Sequence, residues 1–105
     1  MSKSEKAIER GILQFLNTQV PKVYKAKCRA VKWTQHGRQR GNPDIICAVE
    51  GRLFLFEVKK PEGGRLTKLQ EATMKEWRNA GVVAEVVVSL EDVKGHLDKH
   101  LTDML

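Results

Sequence analysis

The chain has 105 residues, of which 41% are hydrophobic and 30% are charged, and its formal net charge is +6. This length predicts one small domain over residues 1–105, with a modest core. No run approaches the roughly 18 apolar residues of a membrane span, and the N-terminus lacks a secretory signal. We therefore expect a soluble, intracellular, cytoplasmic protein with no membrane partner.

Positive charge is concentrated in one part of the chain. Between Glu9 and Asp44 there are eight basic residues and no acidic residue, whereas the rest of the chain is slightly acidic. Clustering of this kind is typical of proteins that bind polyanions such as nucleic acids. A basic face that serves only solubility is the alternative.

The first predicted element is a helix over residues 4–17 that ends before Pro21. Ser2 and Glu5 have the spacing of a helix capping box, and apolar residues follow at helical intervals. Glu5 and Glu9 are four residues apart, so both carboxylates are expected on one helix face.

A strand is predicted next, over residues 23–33, because basic and small apolar residues alternate there. Residues 35–42 are polar and contain glycine, which is typical of a loop. The basic side of the predicted strand carries Lys25, Lys27 and Arg29.

Two further strands, residues 44–49 and 52–59, are predicted to form a hairpin. Glu50 and Gly51 between them suit a two-residue turn, since glycine readily adopts the positive φ that such turns need. Both faces of these strands are apolar, so we expect the sheet to be covered on both sides.

This hairpin is expected to bring two carboxylates together. With Glu50 and Gly51 as the turn, Asp44 lies directly opposite Glu57, and Lys59 shares the face of Glu57. Paired carboxylates can hold a divalent metal that activates water, and a nearby ammonium can stabilise the charge of a phosphodiester under attack. The arrangement therefore points to a nuclease.

The second half of the chain predicts a helix, a strand and a final helix. Thr67 and Gln70 form a capping box for the first helix, and Gly81 is placed to end it. A buried strand follows over residues 82–88, and Ser89 is placed to cap the last helix. The order is α-β-β-β-α-β-α, an α/β fold with a central mixed sheet flanked by helices.

The motifs resemble those of the PD-(D/E)xK nuclease superfamily, and within it the VRR-NUC family of virus-type replication-repair nucleases. They are Gly41-Asn42-Pro43-Asp44, then Glu57-Val58-Lys59, then Gln70 on the next helix. The resemblance covers nearly the whole chain and implies a restriction-endonuclease-like core.

The resemblance also implies roles for individual residues. The implied catalytic residues are Asp44, Glu57, Lys59 and Gln70. The implied ligands of Mg²⁺ or Mn²⁺ are Asp44, Glu57, the Val58 carbonyl and Glu5. Glu9 is an alternative to Glu5, because Glu5 also suits a capping box, and Gln70 has a capping role as its own alternative.

The expected function is a structure-selective DNA endonuclease that resolves branched DNA, such as four-way (Holliday) junctions, as a homodimer. The alternatives are a basic DNA-binding accessory protein without activity, and a flap or RNA nuclease with the same metal site. No glycine-rich phosphate loop is present, so no nucleotide cofactor is expected. Candidate nucleic-acid contacts are Lys25, Lys27, Arg38, Arg40, Lys60 and Arg65.

Other residues with chemical potential have plainer interpretations. Cys28 and Cys47 lack metal or redox spacing and are expected as free thiols. His96 and His100 are expected to face solvent, because no third metal ligand lies nearby in sequence. Trp33 is interpreted as a core or interface aromatic rather than a base-stacking one.

Overall fold

The computed structural model describes residues 4–34 and 41–102. Within these ranges the order α-β-β-β-α-β-α is confirmed, with a π-helical segment added after the first helix. None of the helices in these ranges is long and apolar enough to cross a lipid bilayer. The elements are α1 (Glu5–Gln14), the π-helical segment (Phe15–Tyr24), β1 (Cys28–Lys32), β2 (Ile45–Val49), β3 (Arg52–Val58), α2 (Lys68–Asn79), β4 (Val83–Val87) and α3 (Leu90–Leu101).

The four strands form one mixed sheet in the order β1-β2-β3-β4. β1 and β2 are antiparallel, as are β2 and β3, whereas β3 and β4 are parallel. The parallel pair needs a long crossover connection, and α2 supplies it. The predicted α/β fold with a mixed sheet is confirmed.

The hairpin has the predicted turn and the predicted register. Glu50 and Gly51 have φ angles of 49° and 79°, which is the left-handed conformation at both central positions of a tight hairpin turn. Ile45 pairs with Phe56, and Val49 pairs with Arg52. The next opposed pair beyond Ile45 and Phe56 is therefore Asp44 and Glu57.

Both faces of the sheet are covered, as its apolar composition predicts. On one face, Phe54 and Phe56 pack with buried residues of α1, the π-helical segment and α3. On the other face, Leu55 lies in a smaller cluster with Met74 of α2 and Ala84 of β4. The sheet is thus the middle layer of three.

The predicted end of the first helix is wrong. Helical backbone continues through Pro21 to Tyr24 as π-helix, although proline removes a hydrogen-bond donor. Phe15, Leu16 and Val20 are buried along this segment, so tertiary packing outweighs the local cost of the proline.

The first strand is correspondingly shorter than predicted. Lys25 has a φ of 56° and ends the helical segment, and β1 begins only at Cys28. On β1, the Ala30 N–H donates to the Asn17 side-chain oxygen at 2.8 Å, and the Asn17 amide donates back to the Ala30 carbonyl at 2.9 Å. Asn17 therefore acts as a short substitute for a neighbouring strand at this edge of the sheet.

The predicted helix caps are largely confirmed. Thr67 and Gln70 form a capping box on α2, and the Ser89 hydroxyl accepts from the Asp92 N–H at the start of α3. Ser4 caps α1 by accepting from the Ala7 N–H. The predicted capping box of Ser2 and Glu5 is wrong, because Ser4 is the N-cap of α1 and Glu5 is the first residue of the helix; Ser2 itself lies outside the described residues.

The thiols are free as predicted, but the histidines are not simply solvent-facing. The Sγ atoms of Cys28 and Cys47 lie 3.6 Å apart, in thiol contact and unbonded. His96 and His100 are half-buried, with their rings against Phe56 and Phe54, because α3 packs across this face of the sheet. Trp33 packs edge-on against Trp77, as expected of a core aromatic.

Candidate active site

Asp44 is fixed at the start of β2 by hydrogen bonds to both neighbouring strands. Its Oδ2 accepts from the Val58 N–H of β3 at 2.8 Å, and its backbone carbonyl accepts from the Trp33 N–H, just after β1, at 2.7 Å. The hairpin register places its side chain on the same face as that of Glu57.

Gly41 holds the segment that leads to Asp44 against α2. Its φ is +84°, and an added Cβ would lie 2.7 Å from Leu69 Cγ and 3.0 Å from Thr73 Oγ1. Only glycine permits both this backbone conformation and this close approach. The Gly-Asn-Pro-Asp motif thus sets the position of Asp44 through packing as well as through strand pairing.

Glu57 is an acidic residue buried among polar neighbours at the end of β3. It is 2% exposed. Its Oε2 lies 3.5 Å from the amide nitrogen of Gln70 and 3.9 Å from Lys59 Nζ. Its Oε1 is buried and has no hydrogen-bond partner among the described residues. A carboxylate oxygen left in this state is costly unless another ligand satisfies it.

The surroundings of Glu57 favour its neutral form. Burial away from water is the main cause that raises its pKa to about 9, and the neighbouring Asp44 carboxyl adds to the rise. Lys59 opposes the rise, and Glu5 adds to it. A cation bound beside Glu57 would replace the proton that burial favours on this carboxyl group.

Gln70 makes one contact in the helix cap and one with the acidic pair, so its two predicted roles do not exclude each other. Its side-chain oxygen accepts from the Thr67 N–H at 2.9 Å, which closes the capping box of α2. Its side-chain nitrogen points the other way, to Glu57. The cap therefore fixes the amide in the orientation that lets it donate toward the carboxylate.

Two carboxylates of α1 border the pair. Glu5, the favoured sequence candidate, is half-buried in the first turn of α1, and its charge contributes to the raised pKa of Glu57. Glu9 is 9% exposed, and its Oε1 is buried without a hydrogen bond, 3.6 Å from Lys32 Nζ. Burial raises the pKa of Glu9, Lys32 opposes this rise, and Asp44 adds to it. Glu5 therefore interacts electrostatically with Glu57, and Glu9 interacts electrostatically with Asp44.

The donor set suits a hydrated magnesium ion better than a metal that needs a full protein cage. Among residues 4–34 and 41–102, no three His, Cys, Asp or Glu side chains form a ready-made metal cluster. Asp44 and Glu57 offer carboxylate oxygens. The Val58 carbonyl points to the same side of β3 as the Val58 N–H, toward Asp44. Mg²⁺ usually takes one or two carboxylates and keeps several waters, so these residues fit it.

Four of the six predicted nucleic-acid contacts lie in two exposed segments of the described chain. Lys25, Lys27, Lys60 and Arg65 are exposed, on the end of the π-helical segment, before β1 and on the loop after β3. Arg38 and Arg40 lie outside the described residues. The basic side chain nearest the acidic centre on β1 is Lys32, which sequence reasoning did not single out. The sequence alone offers no signal for it, because its position depends on the backbone pairing of the following residue, Trp33, with Asp44.

Comparison with solved structures identifies the fold. A structure described as "VRR_NUC domain protein" superposes with a TM-score of 0.75 at 18% identity, covering 97% of this chain and 91% of that one. The chain has a VRR-NUC fold. A second structure, described as "VRR_NUC domain", gives a TM-score of 0.67 at 22% identity and covers 93% of this chain and 98% of that one.

The similarity to VRR-NUC domains is detected by comparing structures and is not detected by comparing sequences. No family model matches the sequence, and no curated protein is similar enough to count as a relative. The predicted VRR-NUC fold is therefore confirmed by backbone geometry. The likeness shows the fold alone, and the predicted roles of Asp44, Glu57, Lys59 and Gln70 stay predictions.

Proposed function

We propose that the chain is a divalent-metal-dependent DNA endonuclease that hydrolyses phosphodiester bonds. The observation that carries the proposal is the Glu57 carboxylate, buried beside Asp44 with one oxygen unpartnered. A VRR-NUC fold built around such a pair supports nuclease chemistry over a purely structural role for these residues. Mg²⁺ or Mn²⁺ is the proposed cofactor.

Each residue of the centre has a distinct role in this proposal. Asp44, Glu57 and the Val58 carbonyl hold the metal, which supplies Lewis-acid activation of water and stabilisation of the leaving oxygen. Lys59 orients the attacking water or offsets the negative charge that builds on the phosphorus oxygens. Gln70 keeps the Glu57 carboxylate in place by donating to Oε2.

The fourth ligand comes from α1 in this proposal, and two residues compete for it. Glu5 is favoured by the sequence pattern, whereas Glu9 offers a buried oxygen that lacks a hydrogen bond. Glu5→Gln and Glu9→Gln separate them, since only the ligand's replacement weakens Mn²⁺ affinity at fixed pH. Glu9→Gln also breaks the ion pair with Lys32, so Lys32→Gln is its control.

Branched DNA is the proposed substrate, and a homodimer is the proposed active form. The described part of the chain contains one acidic centre, whereas resolving a four-way junction requires nicks in two strands. A symmetric dimer supplies two centres related by a twofold axis, as the junction's own symmetry requires. Selection by the shape of the DNA rather than by its base sequence is part of this proposal.

The test is cleavage of labelled four-way junction, flap, linear duplex, single-stranded DNA and RNA, each with Mg²⁺, Mn²⁺ or chelator. Wild type is compared with Glu57→Gln and with Glu62→Gln, which changes an exposed loop carboxylate in the same way. We expect paired nicks on the junction for wild type and Glu62→Gln, and none for Glu57→Gln or with chelator.

Other outcomes of this cleavage experiment would support one of the alternative functions. Preferential cleavage of flap or RNA would keep the metal centre and replace the substrate. Salt-dependent DNA binding without cleavage in either metal would support the accessory-protein alternative. Undiminished cleavage by Glu57→Gln would overturn the proposed centre.

A further inference from the structure

A basic pocket of about 280 Å³ opens between α1 and the end of β1. Four of its lining residues lie on one face of α1, since their spacing is i, i+3, i+4 and i+7. The fifth comes from the last position of β1. The lining residues are Lys6, Glu9, Arg10, Leu13 and Lys32.

This pocket borders the acidic centre. Glu9 forms part of its wall, and the charge of Asp44 acts on Glu9. Lys32 precedes Trp33, whose N–H donates to the Asp44 backbone carbonyl. Glu9 and Lys32 thus connect the wall of the pocket to the acidic centre.

The charge of the pocket is positive and partly uncommitted. Lys6 and Arg10 are exposed, and neither forms an ion pair with a residue in the described part of the chain. Lys32 is paired with Glu9, so the one acidic group of the pocket is already offset. Three cationic side chains against one carboxylate favour an anion there.

A nucleic-acid strand that crosses the acidic pair needs such a site. Asp44 and Glu57 repel the phosphates on either side of the one they act on, and positive side chains beside the pair can compensate. Arg10 can bind two oxygens of one phosphate through its planar guanidinium, and Lys6 adds a mobile point charge. Leu13 supplies an apolar wall beside them.

We propose that Lys6, Arg10 and Lys32 bind one backbone phosphate of the DNA strand, adjacent to the phosphate that is cleaved. The inference rests on the proposed nuclease function and adds a phosphate subsite to it. The pocket fixes where the strand lies relative to the acidic pair, on the side of α1.

The test, phosphate interference, measures how neutralising single phosphates of the DNA changes its affinity for the protein. Binding is measured in the presence of chelator, so that no metal-dependent cleavage takes place. DNA substrates carry an uncharged methylphosphonate at one position at a time, and dissociation constants are read by fluorescence anisotropy. We expect one position to weaken binding of wild type about tenfold, as one charge-assisted contact should, and to have a much smaller effect on Lys6→Gln/Arg10→Gln, in which only Lys32 remains. The salt dependence of that variant should fall by about one unit in log–log slope.

The matched control is Lys75→Gln/Lys99→Gln, which removes two exposed charges from α2 and α3. With this variant, a methylphosphonate at the same position as for wild type should weaken binding. The charge-conserving Lys6→Arg/Arg10→Lys should behave in the same way, which excludes loss of folding as the cause. Retention of every interference position in Lys6→Gln/Arg10→Gln would overturn the subsite.

Cleavage with Mn²⁺ is measured alongside, so that the two proposals fail separately. Absence of cleavage by wild type would overturn the nuclease proposal, while the interference pattern would still decide whether the pocket binds a phosphate. Cleavage together with an unchanged interference pattern would overturn the subsite alone.

Discussion

At the scale of single residues, Gln70 connects the folding of α2 to the chemistry of the acidic centre. One end of its amide closes the helix cap with Thr67, and the other donates toward Glu57. A side chain fixed at one end loses little freedom when the other end acts on a ligand, so the cap pre-organises the contact.

Replacing each half of the cap should separate these two contributions. We expect Thr67→Ala and Gln70→Ala each to lower the free energy of unfolding by about 1 kcal/mol, measured by urea denaturation, because each breaks the capping box. Only Gln70→Ala should also weaken Mn²⁺ binding, by about tenfold, since Thr67 does not touch Glu57. Equal metal affinity in the two variants would refute the second role of Gln70.

The protonation of Glu57 should make the metal-free protein less stable as pH rises. The pKa of Glu57 is raised from its ordinary value of 4.5 to about 9, so between these values the folded protein retains a proton that the unfolded chain releases. The stabilising contribution is complete below pH 4.5 and is lost as pH rises toward 9.

Melting temperatures of metal-free protein between about pH 6 and pH 8.5 check this expectation. Wild type and the exposed control Glu62→Gln should lose stability relative to Glu57→Gln, which has no proton to release. Parallel curves for wild type and Glu57→Gln would mean that Glu57 ionises normally in the fold.

Residue pairing was predictable where it followed from strand register. The symmetry of Asp44 and Glu57 about the turn was enough to place them opposite one another. The burial of Glu9 and its ion pair with Lys32 were not predictable, because they depend on how α1 lies against β1. No local pattern in the sequence encodes the distance between α1 and β1.

At the scale of elements, local rules succeeded for the hairpin, α2, β4 and α3, and failed for the end of the first helix. Pro21 predicted a stop, yet helical backbone runs through it to Tyr24. Proline inside a helix costs one backbone hydrogen bond, and this cost can be read from the sequence. The burial of three apolar side chains along the segment offsets it, and that burial depends on how the whole core packs.

Two glycines should respond to alanine with opposite signs. Gly41→Ala should lower the free energy of unfolding by about 1 to 3 kcal/mol, because the new Cβ meets Leu69 and Thr73 at a left-handed φ. Gly11→Ala should raise it by about 0.5 to 1 kcal/mol, since α1 has open space there and alanine favours helix. Urea denaturation measures both. A neutral Gly41→Ala would show that the segment before Asp44 is not held against α2.

At the scale of the whole molecule, the acidic centre lies beside a basic surface. The net charge of +6 draws the chain toward a polyanion, while the central carboxylates disfavour phosphate until a cation offsets them. Metal and DNA should therefore bind cooperatively, because each reduces the electrostatic cost of the other.

The proposed dimer makes a prediction about mixed assemblies. Wild type mixed with excess Glu57→Gln should form dimers with one competent centre, and these should leave junctions nicked in one strand. Native and denaturing gels distinguish single nicks from paired nicks, and sedimentation velocity reports the assembly. Paired nicking that declines only in proportion to wild-type dilution, from a monomeric protein, would refute the dimer.

The most direct test of the central claim is calorimetric titration of the metal-free protein with Mn²⁺ at about pH 7.5, in two buffers of different ionisation enthalpy. If Asp44 and Glu57 hold the metal, binding must displace the proton that burial keeps on Glu57, and about one proton should be released per site. Asp44→Asn should abolish this binding, and Glu62→Gln should leave it unchanged. Mn²⁺ binding to Asp44→Asn with wild-type affinity, or binding without proton release, would contradict the account.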